Sequence, residues 1–148
     1  KILKGKGLKL FIMATRIESK VVEVDVSIED AFNFLTNFNN FKQLMPDQVT
    51  NWSSTENECS FTVAGMATLG MKIIEKAPHS LIKIESSPGK IPFTFYLYVQ
   101  LESASPSKTK GKLVFESDDM NPMVKMMVEK PLSNFFNMLS DKMKNIRL

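Results

Sequence analysis

Few of the 148 side chains could do chemistry, and their spacing rules most chemistries out. His79 is the sole histidine. It stands in KAPHSL, between two runs of alternating apolar residues, and no neighbouring group is placed to orient its ring for acid–base work. Cys59, the sole cysteine, alternates with Phe61 and Val63 in ECSFTV. It is therefore expected to point inward, and nothing cationic flanks it to lower its pKa. One histidine and one cysteine cannot build a zinc site, so no metal is expected. In the acidic run ESDD, Asp118 or Asp119 is expected to cap the helix that follows and to favour its dipole. Periodicity leaves the direction of Glu75 and Glu85 undecided. The six glycines are scattered and form no phosphate-cradling loop; Gly65 and Gly70 are expected to permit strand curvature. No catalytic residue and no cofactor is assigned, and the reading leans away from an enzyme.

What the sequence offers instead is apolar surface in an unusual place. MNPMVKMMVEKPLSNFFNMLSDKMK, from Met120 to Lys144, carries six of the ten methionines. At about 100° per residue, Glu129, Ser133, Asn137, Ser140 and Lys144 share an arc that reads as the solvated face. Phe135, Leu139 and Ile146, widened by Phe136 and Met143, form the opposite stripe in the second half. In the first half the apolar centre is rotated toward Met120, Met123, Val124 and Met127, with Val128 at its edge. Pro131 separates the halves, removes the bond to the Met127 carbonyl, and predicts a bend or an interruption. The apolar surface is wider than the ~100° stripe that suffices to sit on a sheet. Methionine is also the side chain best suited to variable apolar shapes. This helix is expected both to close a core and to line a cavity.

The elements that must position these groups follow from periodicity. TRIESKVVEVDV (15–26) is rich in β-branched residues and predicts one strand. SIED begins a helix capped by Ser27, with Asp30 reaching back and Ile28, Phe32 and Leu35 on one face. A second short helix in NFNNFKQLMP turns Phe38, Phe41, Leu44 and Met45 inward and stops at Pro46. The period then becomes two through VTNWSST, ECSFTVAG, MATLGMKIIEKAP, HSLIKIESS, PFTFYLYVQLES and KGKLVFESDD. In the fifth of these, Phe93, Phe95, Leu97, Val99 and Leu101 share a face. Helices that are not interleaved with strands argue against a parallel doubly wound sheet, and short turns argue for an antiparallel meander.

Composition sets the outer bounds. Apolar residues make up 43% and charged residues 24%, an ordinary globular balance, and the net charge is +3 with pI near 9.0. The lysines are dispersed except near the N-terminus, so no nucleic-acid partner is expected. A single cysteine excludes an internal disulfide and fits a reducing, cytoplasmic setting. No apolar run approaches the ~20 residues of a membrane span, so membrane contact is expected to be transient at most. Residues 1–13, KILKGKGLKLFIM, read as an extension or tail ahead of a domain spanning 14–148, with Met13 standing where the regular pattern begins; a basic membrane-surface anchor is the rival reading. Oligomeric state lies beyond the sequence.

Element order and local pattern together resemble the START-like, or SRPBCC, superfamily. VDVSIEDAFNFLTNFNNFKQLMP is similar to that family's strand, first helix and proline-terminated second helix. MATLGMKIIEKAPHSLIKIES is similar to its paired strands with an E-x-x-P turn. The flavour is that of small bacterial members near the G-type component of carbon monoxide dehydrogenase and the polyketide cyclase/dehydrase type. The resemblance implies an α+β helix-grip fold: β-α-α-β(5–6)-α, with a curved antiparallel sheet of six or seven strands around the long C-terminal helix. It also implies non-catalytic binding or transport of a hydrophobic small molecule, lipid, quinone or polyketide-like, between sheet and helix. A polyketide cyclase-like enzyme and a protein-interaction module with a filled core are the alternatives. No arginine-rich cyclase pocket is evident, since Arg16 and Arg147 are the only arginines. The expected cavity walls are Phe61, Val63, Met71, Ile73, Ile82, Ile84, Phe95, Leu97, Val99, Leu113 and Phe115 from the sheet. Met123, Val124 and Met127 face them from the helix, with Phe32 and Leu35 near one end. Thr62, Tyr96 and Tyr98 are the polar candidates to orient a ligand.

Overall fold

A computed structural model describes residues 14–64, 67–88, 91–146 and 148. The expectations for residues 1–13, Gly65 and Arg147 fall outside these.

The alternating segments from Val49 onward form a continuous antiparallel meander: β3 (Val49–Ser54), β4 (Glu58–Val63), β5 (Ala67–Ala77), β6 (Leu81–Ser86), β7 (Tyr96–Ser105) and β8 (Lys108–Ser117). β1 (Thr15–Glu18) returns to pair with β8, giving the order β1-β8-β7-β6-β5-β4-β3, and β2 (Val22–Val24) also pairs with β8. The first strand read from the sequence is thus two. The break has a local cause. The Ser19 backbone N–H donates to the Leu113 carbonyl at 2.9 Å, and the Ser19 hydroxyl oxygen accepts the Leu113 N–H at 2.9 Å in place of a carbonyl. A serine side chain that substitutes for its own backbone in this way ends a regular ladder. Register shifts at Thr50/Ser53, Ile73/Glu75 and Ser103/Ser105 mark further bulges. Among the described residues, two that are not glycine take positive φ, Asn51 (57°) beside the first bulge and His79 (64°) in the β5–β6 turn; both are types that tolerate it. Gly70 leaves room for a close approach, because a Cβ there would lie 3.0 Å from the Ser87 Cβ.

α1 (Ile28–Leu35) starts at Ser27, whose hydroxyl accepts the Asp30 N–H at 3.1 Å. A 3₁₀ helix (Phe38–Leu44) follows and buries Phe38, Phe41 and Leu44 as their spacing predicts. α2 (Pro122–Lys144) closes the chain and runs unbroken through Pro131. Its cap is Asn121, which accepts the Val124 N–H at 2.9 Å, with Pro122 at the first helical position. Asp118 and Asp119 do not cap it, because Pro122 fixes the start of the helix one residue after Asn121.

The rotation of α2 departs most from the sequence reading. Phe135, Phe136 and Met143 are buried as expected and Leu132 joins them, but Ser140 is buried with them and its hydroxyl donates to the Phe136 carbonyl at 3.0 Å. Asn137 accepts the Lys20 backbone N–H at 2.9 Å, and Asp141 pairs with the Lys20 ammonium. Part of the arc read as solvated therefore packs toward the β1–β2 edge. Met123, Met126 and Met127 turn outward, 72%, 83% and 69% exposed.

Candidate functional site

The middle of the grip is filled. Phe95, just ahead of β7, and Phe115 of β8 stack at 5.2 Å, Phe136 of α2 lies 5.9 Å from Phe115, and Phe135 and Phe93 extend the group at 6.1 and 6.5 Å. Offset and edge contacts at these separations are the favoured aromatic geometries. Phe61, Met71, Ile73, Ile82, Ile84 and Leu97 are buried in the same continuous core. None of these six, nor Phe95 or Phe115, lines either of the two apolar hollows beside this core. The residues expected to wall one long cavity are thus mostly packed against one another.

Two apolar hollows flank this packed centre. The smaller, about 70 Å³, is framed by Val22 and Val24 of β2, Ala31 and Leu35 of α1, the 3₁₀ helix, Val99, Leu101, Leu113 and the second half of α2 at Leu139 and Met143. Its polar side chains are already engaged: the Thr109 hydroxyl donates to the Val26 carbonyl at 2.9 Å, and the Lys112 ammonium meets Glu18 at 2.7 Å. A void of that size is below the roughly 150 Å³ of a cavity known to take benzene. It is a packing defect on the scale of a side-chain fragment.

The larger hollow is a cleft of about 650 Å³ at the other end, within the usual range for small-molecule sites. One wall is α2, through Val124, Met127, Val128, Pro131, Asn134, Phe135 and Met138. The opposite wall is built by Val63, Ala64, Ala67 and Leu69 of the β4–β5 hairpin and by Ile91, Pro92 and Phe93 ahead of β7, with Gln48 at one side. Of the residues expected to bind a ligand, Val63, Val124 and Met127 come together here, while Val99 and Leu113 line the small hollow. Met123 lines neither and faces solvent, because the Lys20 contacts of Asn137 and Asp141 fix the turn of the helix. Leu35 lies at the small hollow as expected of one end, and Phe32 instead meets His79 edge-on at 5.6 Å. The sequence reading named none of Ile91, Pro92, Phe93 and Gln48 as a cavity residue, although it placed Phe93 on one face with Phe95 and Leu97. Ile91 and Gln48 stand outside the alternating segments and gave no periodic signal.

The cleft has a fixed lip. The Asp119 carboxylate accepts the Thr94 N–H at 2.9 Å and the Thr94 hydroxyl at 2.9 Å, and the Ser117 hydroxyl donates to the Thr94 carbonyl at 2.6 Å. Partial burial pushes the Asp119 carboxyl up, but the Thr94 N–H, the Thr94 hydroxyl and the Ser117 hydroxyl outweigh it and hold it below its ordinary value. These bonds tie the segment carrying Ile91, Pro92 and Phe93 to the approach of α2.

The remaining polar candidates lie elsewhere. Thr62 exchanges a hydrogen bond with Thr68 at 3.0 Å on the outer face. Tyr96 and Tyr98 also lie outside, with the Lys83 ammonium 4.7 and 5.7 Å from their ring centres. His79 and Glu75 are exposed and Glu85 is half-buried. Cys59 is buried, and burial pushes its thiol up to about 12. Among the described residues no group of three or more His, Cys, Asp or Glu side chains is placed to hold a metal ion, and no helix is long and apolar enough to cross a membrane.

No family model matches the sequence, and no curated protein aligns with it significantly. Solved structures do match. A START superfamily protein from Mycobacterium smegmatis superposes with a TM-score of 0.69 at 14% identity, over 87% of this chain and 94% of that one. The Zhui aromatase/cyclase from Streptomyces sp. R1128 gives 0.65 at 12%, over 91% and 97%. A truncated norcoclaurine synthase from Thalictrum flavum gives 0.66 at 13%, over 91% and 96%. At such identities the likeness is one of fold.

Proposed function

We propose that this chain, whose fold is the START-like helix grip, binds and carries a hydrophobic small molecule in the cleft between the first half of α2 and the tips of the sheet. The observation that carries the reading is the cleft itself: about 650 Å³ with predominantly apolar walls, beside a core that is otherwise closely packed. Burying roughly 300 Å² of ligand surface there contributes about 7 kcal/mol before the costs of association. The START-like neighbours support a fold that accommodates such ligands. Two of them are named as enzymes, an aromatase/cyclase and a synthase. In this chain, no titratable side chain among the described residues lines the cleft, so the walls offer apolar contact and two carboxamides rather than acid–base groups.

The exposed face of α2 supports transient contact with an anionic lipid surface during loading. Met123, Met126 and Met127 share an arc with Lys130, one turn beyond Met126, and Met127 belongs to both that face and the cleft wall.

Native mass spectrometry of the purified chain, after incubation with a lipid extract, tests the reading. One or a few bound masses are expected, and Val124→Trp, which fills the cleft, should remove them while the thermal melt stays cooperative. A wild-type chain that acquires no guest and no Nile red fluorescence would overturn it.

A further inference from the structure

We infer that the cleft selects electrically neutral ligands bearing a carbonyl, amide or hydroxyl group, and that Gln48 is the side chain that reads that group. This rests on the cleft being the ligand site, as proposed above.

Only two polar side chains, Gln48 and Asn134, line the cleft among the described residues. Both are carboxamides. Each offers an acceptor oxygen and two N–H donors, and neither changes charge with pH. A carboxylate or phosphate entering apolar walls without a counter-charge loses hydration at a cost of several kcal/mol. A neutral carbonyl loses far less and regains it from a single N–H donor.

Gln48 is set for such an exchange. Its Nε2 donates to the Met138 sulfur at 3.8 Å, and a thioether is a weak acceptor, so a ligand oxygen replaces that contact at a gain. Its main chain is held in place, since the Gln48 carbonyl accepts the Ala64 N–H at 2.9 Å and ties the entry to β3 to the end of β4. Its side chain is half-buried, where a hydrogen bond counts for more than at the exposed rim position of Asn134. Asn134 and Met138 are four residues apart on α2, so Asn134 and the sulfur that Gln48 contacts lie along one helical face.

The test is displacement of Nile red by decanamide and by decanoate at pH 8, where decanoate is ionised. Decanamide is expected to displace the dye at a concentration about ten-fold lower than decanoate. Gln48→Met keeps the length and removes the hydrogen bond. It is expected to raise the decanamide concentration needed for displacement about five-fold while Nile red still binds. Asn134→Ala, at an exposed helix position, is expected to raise it by less. Equal displacement by decanoate and decanamide in the wild type overturns the inference, as does a decanamide concentration unmoved by Gln48→Met. Failure of the wild-type chain to take up Nile red at all overturns the cleft as a ligand site, which is a different result from uptake without selectivity.

Discussion

The backbone N–H of Lys20 donates to Oδ1 of Asn137 at 2.9 Å. That bond joins the break between β1 and β2 to the middle of the closing helix. With the Lys20–Asp141 ion pair beside it, it fixes which side of α2 meets the sheet and which side carries methionines into solvent.

Replacing Asn137 with Ala should therefore cost about 1–2 kcal/mol and speed hydrogen exchange at the Lys20 amide selectively. Asp141→Asn should change stability by less than Asn137→Ala does, since that ion pair is exposed on both sides and screened by solvent. Chemical denaturation with amide exchange measures both. Equal losses at the two positions would contradict the assignment.

Acid should loosen the cleft lip. The folded-state pKa of Asp119 lies below its ordinary value, so its contribution is present above the usual carboxylate range, about 3.9, and is lost as pH falls through the depressed value. Protection of the Thr94 amide should stay constant as pH falls from 7 to the usual carboxylate range and be lost only below it, as Asp119 takes up its proton. Asp119→Ala should show the low-protection state at every pH, with a stability loss of about 1–2 kcal/mol. Exchange followed by NMR across pH provides the check.

The packed centre and the outer methionines should respond oppositely to truncation. Phe136→Ala removes a ring held between Phe115 and Phe135 and should cost about 3–5 kcal/mol. Met126→Ala, at a position 83% exposed, should fall within about 0.5 kcal/mol of wild type. Urea midpoints at constant m-value compare the two directly.

Cys59 should be silent toward thiol reagents in the native state. With burial pushing the thiol up to about 12, almost none is thiolate at pH 8. Reaction with a chromogenic disulfide should be slow when folded and complete in denaturant. Fast labelling of the native chain would mean that β4 opens to solvent.

Much of the architecture was legible in the sequence because it depends on local pattern. Alternation in Phe95, Leu97 and Val99 needs only the two-residue period of a strand to share a face, and all three are buried. Ser27 before an apolar helix face needs only its own hydroxyl to start α1. The expected inward thiol of Cys59 follows from its alternation with Phe61 and Val63 in the same way.

The site was less legible, because its residues meet through contacts that no period encodes. Pattern counting assigned Asp119 to the helix it precedes, but the strand geometry presents it to Thr94, 25 residues earlier, while Asn121 takes the cap. A helical wheel ranks the faces of α2 by polarity. Which face packs was decided by Lys20 and by the aromatic group around Phe115, over 100 and about 20 residues away in sequence. Ile91, Pro92 and Gln48 enter the cleft from irregular segments, and only the closed sheet brings them to Val124 and Met138. Sequence thus determined the elements and their apolar content, which are set by interactions within a few residues. Tertiary structure decided how far α2 is turned, how solid the centre is, and that the open space lies at one end, because each depends on packing between elements distant in the chain.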